Sequence, residues 1–271
     1  MTKTASVLGK NTSYFDEYNP KILNPIERTM GRAPLRMQIF EGFDLWRFYE
    51  LTWLDSHGFP HTGMGSIRVP ASSPCIIESK SLKLYLGSFT MTKITGVSQL
   101  QQIIEHDLEK KLDCVVEVNI FENSKPVFEP DIPNYALIDD EVSGLAEIKS
   151  YEYAPECLRH DTGDFVEEEI YSNVLRSLCP VTGQPDHASV FIRYSGRKID
   201  HAGLFEYLVS LRNHRGFHEQ CCELIFSDIK TLLKPQNLSV CACFTRRGGI
   251  DINPVRSDYP DIMTPPRTLR Q

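Results

Sequence analysis

Between Cys179 and Asp186 the chain reads Pro-Val-Thr-Gly-Gln-Pro, and a β-branched, aromatic stretch lies on either side, "FVEEEIYSNVLRSLC" before and "ASVFIRYS" after. Parallel neighbours need a crossover of about a dozen residues or more, so a connection this short must return the chain antiparallel. Its Pro and Gly residues carry the chemistry of a turn. The same corner sets a thiol seven residues before a carboxylate. Either the two only pack at the end of a sheet, or the turn brings them into one pocket.

After the corner, "DHAGLFEYLVSLRN" predicts a helix with Asp200 as N-cap. "HEQCCELIFSDIKTLL" predicts a second helix that buries Cys221, Leu224, Ile225, Ile229 and Leu232 and stops at Pro235. "LSVCACFTRRGGIDI" then reads as a closing strand. The first half is similar in outline. "FDLWRFYELTWLD" predicts a long strand, and "HTGMGSIRVPASSP" reads as a loop. The loop's Gly63 and Gly65 lack the third glycine and the strand–helix frame of a dinucleotide fingerprint. In "CIIESKSLKLYLGSF", Leu82, Leu84 and Leu86 alternate with Lys83 and Tyr85, which predicts a strand edge. A helix follows, with a capping box of Ser98 and Gln101 and an apolar face of Leu100, Ile103, Ile104, Leu108 and Leu112. Asp113 closes it, and "CVVEVNIF" is a strand.

Residues 122–163 are rich in Pro and acid and read as a linker, and residues 1–36 as an irregular arm with little core of its own. The predicted organisation is therefore an arm (1–36) and two α+β modules (37–145 and 146–271), each an antiparallel sheet backed by helices. Identity between the halves is too low to prove a duplication.

Composition narrows the function. The 271 residues carry a net charge of −7, which argues against a polynucleotide partner. No apolar run approaches the roughly 20 residues of a membrane helix, and the first residues lack the apolar core of a secretory signal. Eight cysteines without a C-x-x-C pair suggest free thiols in a reducing cytoplasm and no metal site.

Four short runs can carry chemistry. Cys179 ends a strand where its thiol can project into a cleft as a nucleophile, although most cysteines only pack. "ESKSLK" puts Glu78, Ser79, Lys80, Ser81 and Lys83 within six residues; one face of a strand can hold a carboxylate for a ligand while the other meets phosphate. The plainer alternative is a solvated edge guarded by lysines. "FHEQ" opens a helix with His218 and Glu219. A carboxylate there can accept the paired N–H donors of a pyrimidinone edge, with His218 passing a proton, or it is an exposed first turn. "TRRGG" offers Arg246 and Arg247 for phosphate and Gly248 for close approach, or it is a basic turn.

Together, "IIESKSLKLYLGSF", "LCPVTGQPDHASVFI", "FHE" and "FTRRGGIDINP" closely resemble the NADPH-dependent 7-cyano-7-deazaguanine reductases, the QueF nitrile reductases, in their long two-module form. The resemblance covers most of the chain after the arm. It departs next to the motifs only at His187, where many relatives carry Trp. It implies tandem tunnelling-fold modules, a cytoplasmic homodimer and a role in making the tRNA base queuosine. It implies that two NADPH reduce the nitrile of free 7-cyano-7-deazaguanine to the amine of 7-aminomethyl-7-deazaguanine. By similarity, Cys179 forms a thioimide with the nitrile carbon and Asp186 donates a proton. Glu219 and Glu78 grip the base, with His218 and the backbone near Ile77 and Ser79 lining its pocket; Ser79, Lys80, Arg247 and Gly248 meet NADPH. Three rivals stand beside it. They are a cysteine-dependent nitrile hydrolase, a metal-dependent cyclohydrolase of the same fold, and a non-catalytic purine- or pterin-binding module.

Overall fold

The computed structural model describes residues 15–122, 128–142, 148 and 151–271. The expected module boundary at 145/146 and the first fourteen residues of the arm lie outside them. In chain order the strands and α-helices are β1 (Pro25–Glu27), α1 (Arg28–Arg32), β2 (Gly42–Leu54), β3 (Pro60–Pro70), β4 (Cys75–Ile77), α2 (Ser79–Gly87), α3 (Val97–Leu112), β5 (Glu117–Glu122), β6 (Ala136–Leu137), α4 (Ile138–Val142), β7 (His160–Leu178), β8 (Pro185–Ile199), α5 (His201–Ser210), α6 (His218–Asp228), β9 (Asn237–Phe244) and β10 (Ile250–Ser257).

Eight strands form one sheet in the order β5-β3-β2-β10-β9-β8-β7-β6, antiparallel at every pairing but β6–β7. Apart from the short β4, which pairs with β1 outside this sheet, the two halves share an order of strand, strand, helix, helix, strand: β2-β3-α2-α3-β5 and β7-β8-α5-α6-β9. They meet where β10 pairs with β2, from Ile250↔Phe48 to Arg256↔Gly42. Alternation along the strands divides the core. Leu238, Val240, Ala242 and Phe244 of β9 pack under α5 and α6. Trp46 and Phe48 of β2 pack with Leu82, Leu100 and Ile104 under α2 and α3. Cys241, Cys243, Phe43, Phe191 and Val255 face the other side.

Several expectations need correction. Residues 60–70 are a strand, not a loop. Gly63 and Gly65 make room for rings of β2, since a Cβ at Gly65 would come 2.4 Å from Phe48 Cζ. The "SKSLKLYLG" run is helix α2, not a strand edge. The period-2 leucines misled: Leu84 is half-buried, whereas Leu82, Tyr85, Leu86 and Phe89 are buried at helical spacing. Helix α3 starts at Val97 without the Ser98–Gln101 box; the Thr95 N–H donates to Gln99 Oε1 at 2.8 Å instead. The closing strand is a hairpin of β9 and β10 folded at Arg246–Gly249. The arm, finally, is stitched into the core: β1 pairs with β4, Leu23 is buried, and so are Arg28 and Arg32.

Helix α5 starts as expected, with Asp200 accepting from the Ala202 N–H at 3.1 Å. Helix α6 continues through Leu233 as a π turn and ends at Lys234 in the left-handed region, before Pro235.

Candidate active site

The corner at Cys179 is a tight hairpin. Leu178 pairs with Pro185 and Ser177 with Asp186. The Cys179 N–H donates to the Gln184 carbonyl and the Gly183 N–H to the Cys179 carbonyl, both at 2.9 Å. Gly183 takes φ +69°, which its missing Cβ permits. Cys179 thus faces Gln184 across the hairpin, and Asp186 sits diagonally from it on the same face. Cys179 is partly accessible, and Asp186 is buried.

Asp186 Oδ1 is the hub of this wall. His218 Nε2 lies 3.2 Å from it and Arg247 Nε 2.9 Å. His218, at the start of α6, stacks on Phe244 with ring centroids 3.9 Å apart, and its Nδ1 is buried without a partner. The Phe217 N–H donates to Gln220 Oε1 at 3.0 Å, which secures the helix start. Arg247 also donates from Nη2 to the Pro185 carbonyl at 2.5 Å. This residue, singled out for the cofactor, therefore also holds the acid.

Glu219 is 2% exposed, and its Oε1 has no hydrogen-bond partner. Burial, reinforced by the negative charge of Asp44, pushes its carboxyl up to about 8. An acid in that state is primed for a ligand that brings its own donors.

The facing wall is the start of α2. Glu78 is its N-cap, accepting from the Lys80 N–H at 3.0 Å on Oε1 and the Ser81 N–H at 2.8 Å on Oε2. A carboxylate has about four acceptor sites, so Glu78 retains capacity for a ligand. Because Glu78 takes these two helix N–H groups, the positive charge on this wall comes from the side chains of Lys80 and Lys83. Gly248, at φ +56°, brings the β9–β10 turn over α2; a Cβ there would lie 2.6 Å from Lys83 Nζ.

The two walls enclose a cleft of about 300 Å³ at the junction of the halves. Every site residue expected from the sequence lines it: Ile77, Glu78, Ser79, Lys80, Cys179, Asp186, His218, Glu219, Arg247 and Gly248. One chain supplies both walls. Sequence reasoning missed Trp46 and Phe217 as lining residues, and it named Lys83 only on the face of a strand that does not form. Lys83 was visible inside "ESKSLK"; Trp46 and Phe217 carried only the signal of aromatic side chains. Among the described residues no three His, Cys, Asp or Glu side chains gather as a metal site, and no helix is long and apolar enough to cross a membrane.

Known proteins match this sequence. A family model described as nitrile reductase, 7-cyano-7-deazaguanine-reductase N-term, matches residues 14–120, and one described as QueF-like protein matches residues 185–261. The NADPH-dependent 7-cyano-7-deazaguanine reductase of Bordetella avium is 45% identical over 260 residues, covering 93% of this chain and 92% of its own. The protein of that name from Dechloromonas aromatica is 45% identical over 264 residues, with 94% and 92% covered. The one from Acinetobacter baumannii is 41% identical over the full length of both chains. A crystal structure of the archaeosine synthase QueF-Like in the apo form overlaps 36% of this chain and 95% of that one at 17% identity, with a TM-score of 0.31, which carries no argument here.

Proposed function

The chain belongs to the NADPH-dependent 7-cyano-7-deazaguanine reductase family, and from that premise we propose how its cleft works. The protein is an oxidoreductase that reduces the nitrile of 7-cyano-7-deazaguanine to the amine of 7-aminomethyl-7-deazaguanine, a step toward queuosine, with NADPH as co-substrate.

The base enters with its N1–H and amino donors toward Glu219, and Glu78 uses its remaining acceptor sites from the opposite wall. His218, held flat by Phe244, lines the base pocket with the backbone around Ile77 and Ser79. This pose sets the nitrile over Cys179. The sulfur bonds to the nitrile carbon, and one carbon–nitrogen π pair takes up a proton at nitrogen, so that S–H adds across the triple bond to give a thioimide. Asp186 delivers that proton, with His218 at 3.2 Å as the relay that restores it. A register that puts thiol and acid on one hairpin face is the observation that carries this mechanism.

The residues assigned to NADPH suit a phosphate-bearing ligand. Lys80 and Arg247 bring positive charge to the cleft, Ser79 brings a hydroxyl, and Gly248 keeps the turn close. When bound, NADPH supplies a hydride, twice for each amine. Cys179 leaves as a thiolate after the first transfer, and Asp186 and His218 manage the protons of both. The shared element order of the halves supports two tunnelling-fold modules, 37–145 and 146–271 after the arm; the cytoplasmic homodimer is what membership of the family implies.

Turnover tests this directly. Purified protein given 7-cyano-7-deazaguanine and NADPH should oxidise two NADPH per amine formed. Amide or acid product with NADPH untouched would make the protein a nitrile hydrolase.

A further inference from the structure

Glu219 and Glu223 lie one turn apart on α6, both buried, yet of the two only Glu223 is ion-paired. Glu223 receives Arg32 Nε at 3.0 Å and Nη2 at 2.7 Å, and Arg256 Nε at 3.0 Å and Nη2 at 2.7 Å. Behind it Asp44 takes Arg28 Nη2 at 2.6 Å and Arg256 Nη1 at 2.8 Å. The cluster lies at the seam of the halves, between the arm, β2, β10 and α6. It sets three guanidiniums (Arg28, Arg32, Arg256) against two carboxylates (Asp44, Glu223), which leaves one positive charge in excess.

Three buried polar atoms here have no hydrogen-bond partner, and Asp44 Oδ1, which meets Arg256 Nη1 only as an ion pair, is the first. The second is Arg28 Nη1, 3.7 Å from Glu223 Oε1, and the third is Glu219 Oε1. The arm presses on the start of α6 at this point, since a Cβ on Gly31 would meet the Gln220 side chain at 2.2 Å. The charged groups around Glu219 are Arg28 from the arm, Asp44 from β2, Arg256 from β10 and Glu223 from its own helix, with His218 and Asp186 on the cleft side.

We infer that Arg28 is a positioning residue for Glu219, its surplus charge in the buried cluster being the counter-charge that lets Glu219 become a carboxylate when a base with two adjacent N–H donors binds. The inference rests on the clamp role given to Glu219 above. In the empty cleft, burial and Asp44 keep the Glu219 carboxyl toward its neutral form. Binding breaks its O–H bond, the proton leaves to solvent, and the ligand's donors take its place. The five-charge cluster plus Glu219 is then neutral. This gives a buried ion network a specific task in recognising the base.

The test is a double-mutant cycle on reversible binding of 7-cyano-7-deazaguanine, read by calorimetry in a Cys179→Ala background so that no adduct forms. Arg28→Met should weaken base binding by about tenfold or more, as expected for losing a charged buried partner. It should have no further effect once Glu219→Gln is present, and Arg28→Lys should restore most of the affinity. NADPH affinity should not move. Titration of the Glu219-containing protein at pH 7 in buffers of different ionisation heat should show close to one proton released per site, lost in Glu219→Gln. Equal weakening with and without Glu219→Gln, or no proton release, overturns the inference. If Arg28→Met fails to fold, the proton count still decides. If Glu219→Gln leaves base affinity unchanged, the clamp reading itself falls; if it weakens binding without coupling to Arg28, only the inference does.

Discussion

The two walls of the cleft are built on opposite rules. At the start of α2, the polar groups are satisfied from within: the Glu78 carboxylate accepts two N–H groups of its own helix. At the start of α6, they are left open: Glu219 Oε1 and His218 Nδ1 are buried without partners. A buried polar group without a partner costs stability, so a fold keeps one only where something else completes it. The comparison teaches where the ligand is demanded by the fold and where it is merely accommodated. The α6 wall is preorganised for a guest that carries donors, and the α2 wall is a finished helix end that the guest touches.

Substitutions can break or sharpen that contrast. The largest effect should come from the hub of the open wall. Asp186→Asn should lower kcat by about 10²–10⁴-fold, the usual worth of a positioned acid, while base affinity changes little. A loss in affinity alone, with kcat intact, would remove Asp186 from the proton path.

Glu223→Ala leaves Arg32 and Arg256 buried without their carboxylate, so unfolding free energy should fall by about 3–5 kcal/mol in a denaturant titration. A change near zero would mean that water reaches the cluster and that it cannot serve as a dry counter-charge.

Glu219 should show its openness in the pH dependence of stability. Its carboxyl is near 8 in the folded chain and near the usual carboxylate value when unfolded. The unfolded state therefore ionises first. Its contribution is fully present below about 4.5 and is lost progressively as pH rises to about 8. Glu219→Gln should thus match the parent protein's melting temperature at low pH and exceed it increasingly across that window. A constant difference across the window would show that Glu219 is already ionised when the cleft is empty.

The smallest effect should lie on the closed wall. Glu78→Ala removes an N-cap and should cost about 1 kcal/mol of stability. Glu219→Gln, which breaks no ion pair and keeps an acceptor for its own backbone N–H, should cost none at neutral pH. If the two behave alike in thermal melts, the contrast between walls is lost.

The chemistry was more legible in the sequence than the elements that present it. A six-residue connection made the tight corner between Cys179 and Asp186 readable, and the family resemblance paired the two residues in one role. The long strands at 42–54 and 185–199 showed through their aromatic and β-branched content. Helix α2 did not, because Leu82, Leu84 and Leu86 happen to alternate and the cap at Glu78 looks like one more charged strand residue. Strand β3 was hidden by glycines that exist to seat the rings of Trp53 and Phe48. The cluster of Arg28, Arg32, Asp44, Glu223 and Arg256 had no local signature at all. Its members lie up to 228 residues apart (256 − 28) and meet only because β10 crosses to pair with β2.

The most direct test of the thiol and acid sharing one cleft is the intact mass of the protein mixed with 7-cyano-7-deazaguanine in the absence of NADPH. The expected result is a single adduct equal to the protein plus one ligand, absent in Cys179→Ala, that disappears with release of the amine when NADPH is added. An adduct that persists in Cys179→Ala, or amine formed at an undiminished rate by that variant, would contradict a mechanism built on this hairpin.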